Sequence, residues 1–264
     1  MGTELMQDAR SVGAKRNHRD VSDVATDAIR REIAEAAASS ELLAKMDGHF
    51  RQLAARCFDE TRGDSQLLAI SSATRGTGTS AIALGLASAA AKNLGADTLI
   101  IETDLKHPQL ARDMGVQTAI GLSDYLSRDV DTATIINPTS LPRVWLLPAG
   151  RPVQNPGPLV RSEKFTHLLR NLRELKSASG APAFRTIILD TPPLLVSSDS
   201  KVIAQQADGI VLVVRAGETH AHDVQGALRV AGTTPVKGIV LNRARTWLPT
   251  WLSNLFGLSQ FDFE

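Results

Sequence analysis

The chain has 264 residues, 43% of them apolar and 22% charged, with a formal net charge of +1. That balance supports a globular core and gives no electrostatic case for nucleic acid or an anionic membrane surface. Cys57 is the single cysteine, so an intrachain disulfide is excluded and a reducing compartment is expected.

Residues 1–20 are polar and read as disordered, without the apolar stretch of a secretion signal. No uninterrupted apolar run approaches membrane-spanning length, so a cytoplasmic location is expected. Val21, Val24, Ala28, Ile29 and Ile33 recur at helical spacing, and a second helix carries Leu42, Met46, Phe50, Leu53 and Cys57 on one face. A polar linker, 59–65, follows. Strand and helix patterns then alternate. Strands are predicted at 66–72, 97–102, 144–148, 185–190, 210–215 and 236–241, and helices at 80–92, 158–176, 200–206 and 220–231. Wholly apolar runs such as 186–189 and 210–214 suit parallel strands covered on both faces. The expected fold is α/β: a doubly wound, mainly parallel sheet over 65–243, with ligands at the carboxyl ends of its strands. Residues 1–64 form an N-terminal extension, disordered and then helical. Residues 244–264 form a tail with an apolar stripe of Trp247, Trp251, Leu252, Leu255 and Phe256, which either packs back on the domain or docks a partner.

Between the first strand and its helix lies Ser71-Ser72-Ala73-Thr74-Arg75-Gly76-Thr77-Gly78-Thr79-Ser80. A Gly-rich turn there aims backbone N–H groups and the positive end of a helix at an anion. A phosphate-binding loop of Walker A type would carry lysine at position 79. Thr79 has no charge. Two neighbouring strands end in acidic groups, Glu102-Thr103-Asp104 and Asp190-Thr191-Pro192-Pro193. The Ser80 hydroxyl with Asp104 and Asp190 is a candidate Mg²⁺ ligand set, direct or through water. Each piece alone is common; their order along one chain is not. The six histidines are scattered, and no metal-ligand cluster is expected from them.

With these pieces the chain resembles the cytosolic bacterial tyrosine kinases of capsule and exopolysaccharide synthesis (CpsD/CapB type), deviant P-loop ATPases related to septum-site and partition proteins. The likeness runs from about residue 48 to 243. It is carried by Ser71 to Ser80, Ile101-Glu102-Thr103-Asp104-Leu105-Lys106-His107-Pro108, and Gly121-Leu122-Ser123-Asp124-Tyr125-Leu126. Leu147-Pro148-Ala149-Gly150, Asn155-Pro156, Ile188 to Pro193, Asp199, Ala207-Asp208-Gly209, Val214-Arg215 and Val240-Leu241-Asn242-Arg243 complete it. The resemblance implies ATP and Mg²⁺ as ligands. Nucleotide contacts would come from Gly76, Thr77, Gly78, Thr79, Ser80, Asn242 and Arg243, metal contacts from Ser80, Asp104 and Asp190, and catalytic carboxylates from Glu102 and Asp104. It also implies an inner-membrane polysaccharide co-polymerase as activating partner.

Four features depart from the family pattern. Thr79 stands where the loop lysine belongs. Glu102 replaces an aspartate that resembles the proton acceptor for the target tyrosine. The Glu-x-x-Arg-x-x-Arg ring-assembly patch reads Gly48-His49-Phe50-Arg51-Gln52-Leu53-Ala54, so only Arg51 remains. The tail has no tyrosine, and the sole tyrosine of the chain, Tyr125, is internal. Lys92 is too far down its helix to replace the lysine; Lys106 and Arg75 remain candidate surrogates. The expected function is a catalytically weakened or inactive regulatory partner of the co-polymerase, a monomer or small oligomer. The alternatives are an active kinase acting in trans and a positioning ATPase. Thr74 argues against the latter, because it occupies the place of that group's signature second lysine.

Overall fold

The computed structural model describes residues 47–116 and 120–244. The first predicted helix, near Val21–Ile33, and the aromatic tail with Trp247 and Trp251 lie outside the described residues. The described residues fall in one compact unit.

Its elements in chain order begin with a helical stretch over 47–57 (α1), β1 (Gln66–Ser72), α2 (Thr79–Leu94) and β2 (Thr98–Glu102). Three short helices follow, α3 (Leu110–Asp113), α4 (Leu122–Ser127) and α5 (Thr132–Ile135), then β3 (Asn137–Pro138) and β4 (Val144–Leu147). The remainder is α6 (Gly157–Val160), α7 (Glu163–Glu174), β5 (Thr186–Asp190), α8 (Ser198–Ala204), β6 (Gly209–Arg215), α9 (Ala221–Ala231) and β7 (Val236–Asn242).

The strands form one sheet in the order β3-β4-β2-β5-β1-β6-β7. Every pairing is parallel except the two-residue β3 against β4. The apolar runs behave as parallel strands covered on both sides. Ile187 and Leu189 enter a core with Leu99, Ile101 and Phe165, while Ile188 enters the opposite one with Ile70, Ile100 and Leu86. Period-two alternation therefore buries every residue of the run. The second core is roofed by α2, whose Ala83, Ala87, Ala90 and Ala91 are all buried and let the helix approach the sheet. α1 closes over it: Ala54, Cys57 and Phe58 join that core. The Phe50 ring lies where a Cβ at Gly85 would fall. Asp47 ties α1 to α2 through Lys92 Nζ at 2.7 Å, and the Lys92 hydrogen bond is the main reason its carboxyl is held below the usual carboxylate range.

Two expectations need correction. The helix predicted over 158–176 is two helices, because Ser162 accepts a hydrogen bond from Phe165 N at 3.3 Å and starts α7 afresh as its N-cap. The segment between β2 and β4 holds α3, α5 and the antiparallel β3, none of them predicted; elements of two to four residues carry no readable period.

Candidate nucleotide site

β1 ends at Ser72 and α2 begins at Thr79, leaving a tight six-residue loop. Gly76 and Gly78 hold left-handed backbone with φ of +77° and +85°, a region L side chains avoid. At Gly78 a Cβ would also strike Asn242 Nδ2. The loop is braced from behind by two strand ends. Asn242 Nδ2, at the end of β7, donates to Thr77 O at 2.7 Å. Arg215 Nη1, at the end of β6, donates to Gly76 O at 3.3 Å. α2 has no side-chain cap, which leaves its first-turn N–H groups for an anion. The Thr79 hydroxyl lies 2.9 Å from Thr77 Oγ1, so this side chain turns back on the loop.

Side-chain hydroxyls stitch the strand ends together. Ser71 Oγ donates to Pro192 O at 2.8 Å, Thr103 Oγ1 to Asp190 O at 2.7 Å, and Thr191 Oγ1 to Ile70 O at 2.7 Å. Asp190 stands level with Ile70 on β1 and Glu102 on β2. It is 6% exposed. Its carboxyl is pushed up to about 7, first by burial and then by the nearby Glu102 and Asp104 charges, against the pull of the Ser80 hydrogen bond. Three carboxylates thus crowd one cleft at the N-terminus of α2.

They are not equivalent. Glu102 is 3% exposed. Its Oε1 accepts from Gln109 N and Leu110 N, both at 2.6 Å, and its Oε2 from Ala149 N at 3.1 Å. It anchors the start of α3 and the loop after β4. Asp104 is more open. Arg75 Nη1 lies 3.3 Å from its Oδ2, and its Oδ1 accepts from His107 N at 3.1 Å. Arg75 Nη2 lies 2.9 Å from His107 Nδ1.

A cleft of about 560 Å³ is lined by Arg75, Gly76, Gly78, Thr79 and Ser80 together with Glu102, Asp104, Asp190 and Arg243. Most of the residues singled out in the sequence therefore meet in one place. Thr77 and Asn242 stand behind the loop instead, as its bracing. Among the described residues, no group of three or more His, Cys, Asp and Glu side chains is set to hold a metal. Asp104, Asp190 and the Ser80 hydroxyl still fit Mg²⁺ carried by a nucleotide, since Mg²⁺ takes one or two carboxylates and completes its shell with phosphate and water. Lys92 is paired with Asp47, away from the cleft. Lys106 lines an adjoining groove, which shares Arg75, Asp104 and His107 with the cleft and adds Asn155, Ser197 and Asp199. Sequence reasoning assigned no role to His107, Gln109 or Arg215, which set the positions of Arg75, Glu102 and the loop. Arg215 and His107 fall within the family-like segments, whereas Gln109 contributes only its backbone and leaves no side-chain signal.

No protein-family model matches the chain. The tyrosine-protein kinase CpsD of Streptococcus agalactiae is 30% identical over 191 residues, which cover 71% of this chain and 80% of that protein. Among solved structures, the chimerical protein CapA2B2 superposes with a TM-score of 0.66 at 25% identity, over 75% of this chain and 84% of its own. The septum site-determining protein MinD of Pyrococcus horikoshii, complexed with Mg-ADP, shares the fold with a TM-score of 0.55 at 20% identity, over 72% of this chain and 77% of its own. With its mostly parallel sheet and phosphate-loop architecture, the chain belongs to the bacterial tyrosine kinase family of polysaccharide synthesis, of the CpsD type, on a P-loop ATPase fold.

Proposed function

We propose that this protein binds a Mg-nucleotide, is weakened in phosphoryl transfer, and serves as a cytoplasmic regulatory partner of a membrane polysaccharide co-polymerase. One observation carries the reading. The loop retains the backbone of a phosphate cradle, but position 79 holds a neutral hydroxyl turned onto Thr77. In phosphoryl transfer the protein contributes mostly positioning and charge stabilisation. A cradle without its lysine keeps much of the first and loses part of the second. Bound Mg²⁺ would offset phosphate charge, held by Ser80, Asp104 and Asp190. Glu102 supports the same reading, because both its oxygens already accept backbone N–H groups; we assign it a positioning role and leave Asp104 as the open carboxylate. The family supports a membrane co-polymerase as partner. Arg51, the remnant of the ring-assembly patch, pairs with Asp47 of its own chain at 2.7 Å, in keeping with a monomer or small oligomer.

ADP release and phosphotyrosine formation are measured in the parent and in Thr79→Lys with Mg·ATP and a tyrosine copolymer. The parent is expected at background, and Thr79→Lys at least tenfold faster. A parent that turns over well, and no faster with lysine restored, would mean an active kinase acting in trans.

A further inference from the structure

We propose that Arg75 replaces the missing lysine as the phosphate-binding cation, and that Asp104 and His107 position its guanidinium beside the loop. This rests on reading the cleft as a nucleotide site.

Three cations besides Arg75 compete for the role. Lys92 is 2.7 Å from Asp47 on the α1 side of the molecule. Lys106 lines the adjoining groove, which Arg75, Asp104 and His107 also line, and does not itself line the loop cleft. Arg243 lines the cleft but follows β7 and has no ion pair among the described residues with the carboxylates that would take the metal. Arg75 belongs to the loop itself, one residue before Gly76, and lines the cleft beside Gly76, Gly78, Thr79 and Ser80.

Its present partners make it available. The contact with Asp104 is 3.3 Å, and the side chains are 45% and 20% exposed. A half-exposed pair of that length is weak and exchangeable. The second nitrogen, 2.9 Å from His107 Nδ1, needs only a neutral imidazole as acceptor. A phosphate offers the same planar fork two anionic oxygens, a better match than one carboxylate oxygen and one ring nitrogen. Asp104 is also a candidate Mg²⁺ ligand. When the metal takes that carboxylate, the guanidinium loses its partner just as the phosphates arrive. Arg75 thus supplies ground-state affinity from the flank of the loop. It does not supply a charge at the first residue of α2, which is why binding and transfer separate in this chain.

Calorimetric titration with Mg·ADP on the full chain tests this, using the parent, Arg75→Ala, Arg75→Gln and the double variant Arg75→Ala with Thr79→Lys. Both single variants should bind roughly ten- to a hundredfold more weakly than the parent, the loss expected for one charge-assisted contact. They should unfold at the parent's temperature, since the side chain is half exposed. The double variant should recover most of the lost affinity, because lysine then does what arginine did. If the parent binds and both Arg75 variants bind within threefold of it, the proposal fails and the nucleotide site stands. If neither the parent nor the double variant binds at millimolar Mg·ADP, the site reading itself fails and takes the proposal with it.

Discussion

Replacing Asp190 by asparagine should stabilise the protein increasingly as the pH rises from about 4 to 7. Asp190 is 6% exposed at the end of β5, and its carboxyl is raised from 3.8 to about 7, first by burial and then by Glu102 and Asp104, against the Ser80 hydrogen bond. A raised folded-state value means that the native protein favours the protonated form. Its contribution to stability is fully present below pH 4 and is lost as the pH rises through about 7. A shift of roughly three units corresponds to about 4 kcal/mol once the group is ionised in both states. Asparagine keeps the shape, still accepts from Ser80 and never ionises. Asp190→Asn should therefore gain up to about 4 kcal/mol at pH 8, equivalent to about 8–16 °C in a domain of this size. Most of that gain should vanish at pH 4.5. Urea unfolding of parent and variant at both pH values, without Mg²⁺ or nucleotide, measures the effect, because the two proteins differ by one ionisable group. An equal gain at both pH values, or a loss at pH 8, would refute the reasoning. The same strain has a functional side: a bound divalent cation would relieve the repulsion, so Asp190 would release its proton on binding.

Glu102→Ala should cost about 2–5 kcal/mol in urea unfolding, because two buried backbone N–H groups and a partly buried one lose their acceptor at once; a loss under 1 kcal/mol would mean that the contacts of Glu102 are replaceable. Glu102→Gln should cost less, about 1–3 kcal/mol, since its amide can still accept from Gln109 and Leu110 but would face the Ala149 N–H with a donor. Tyr125 should remain unphosphorylated on incubation with Mg·ATP, because its ring packs on the core beneath Lys164 Nζ, 4.8 Å from the ring centroid. A phosphotyrosine there by mass spectrometry, abolished by Asp104→Ala, would establish catalysis that Thr79 was expected to remove. Sedimentation should give a monomer or small oligomer, since Arg51 is engaged within its own chain; a stable ring would show that the altered patch is not what limits assembly.

The sequence by itself determined the fold and the strand ends at which the candidate site residues meet. Short apolar runs between amphipathic stretches leave few architectures other than a parallel sheet with both faces covered, and strands such as 187–189 send alternate residues into opposite cores. A Gly-rich turn between strand and helix, with acidic residues at other strand ends, can converge only at one edge of such a sheet. The contacts of individual side chains were decided by tertiary structure. Glu102 read as a displaced catalytic base, yet its oxygens meet N–H groups of residues 109, 110 and 149. Asn242 read as a ligand contact, yet its amide braces Thr77 from behind the loop. Arg75 and Lys106 stood as equal surrogates in sequence, and only the folded loop makes Arg75 line the cleft while Lys106 lines the adjoining groove alone. Periodicity reports which face of an element is buried. It carries no information on which distant backbone amide a carboxylate will reach, because that is fixed by how loops from different strands close over the sheet.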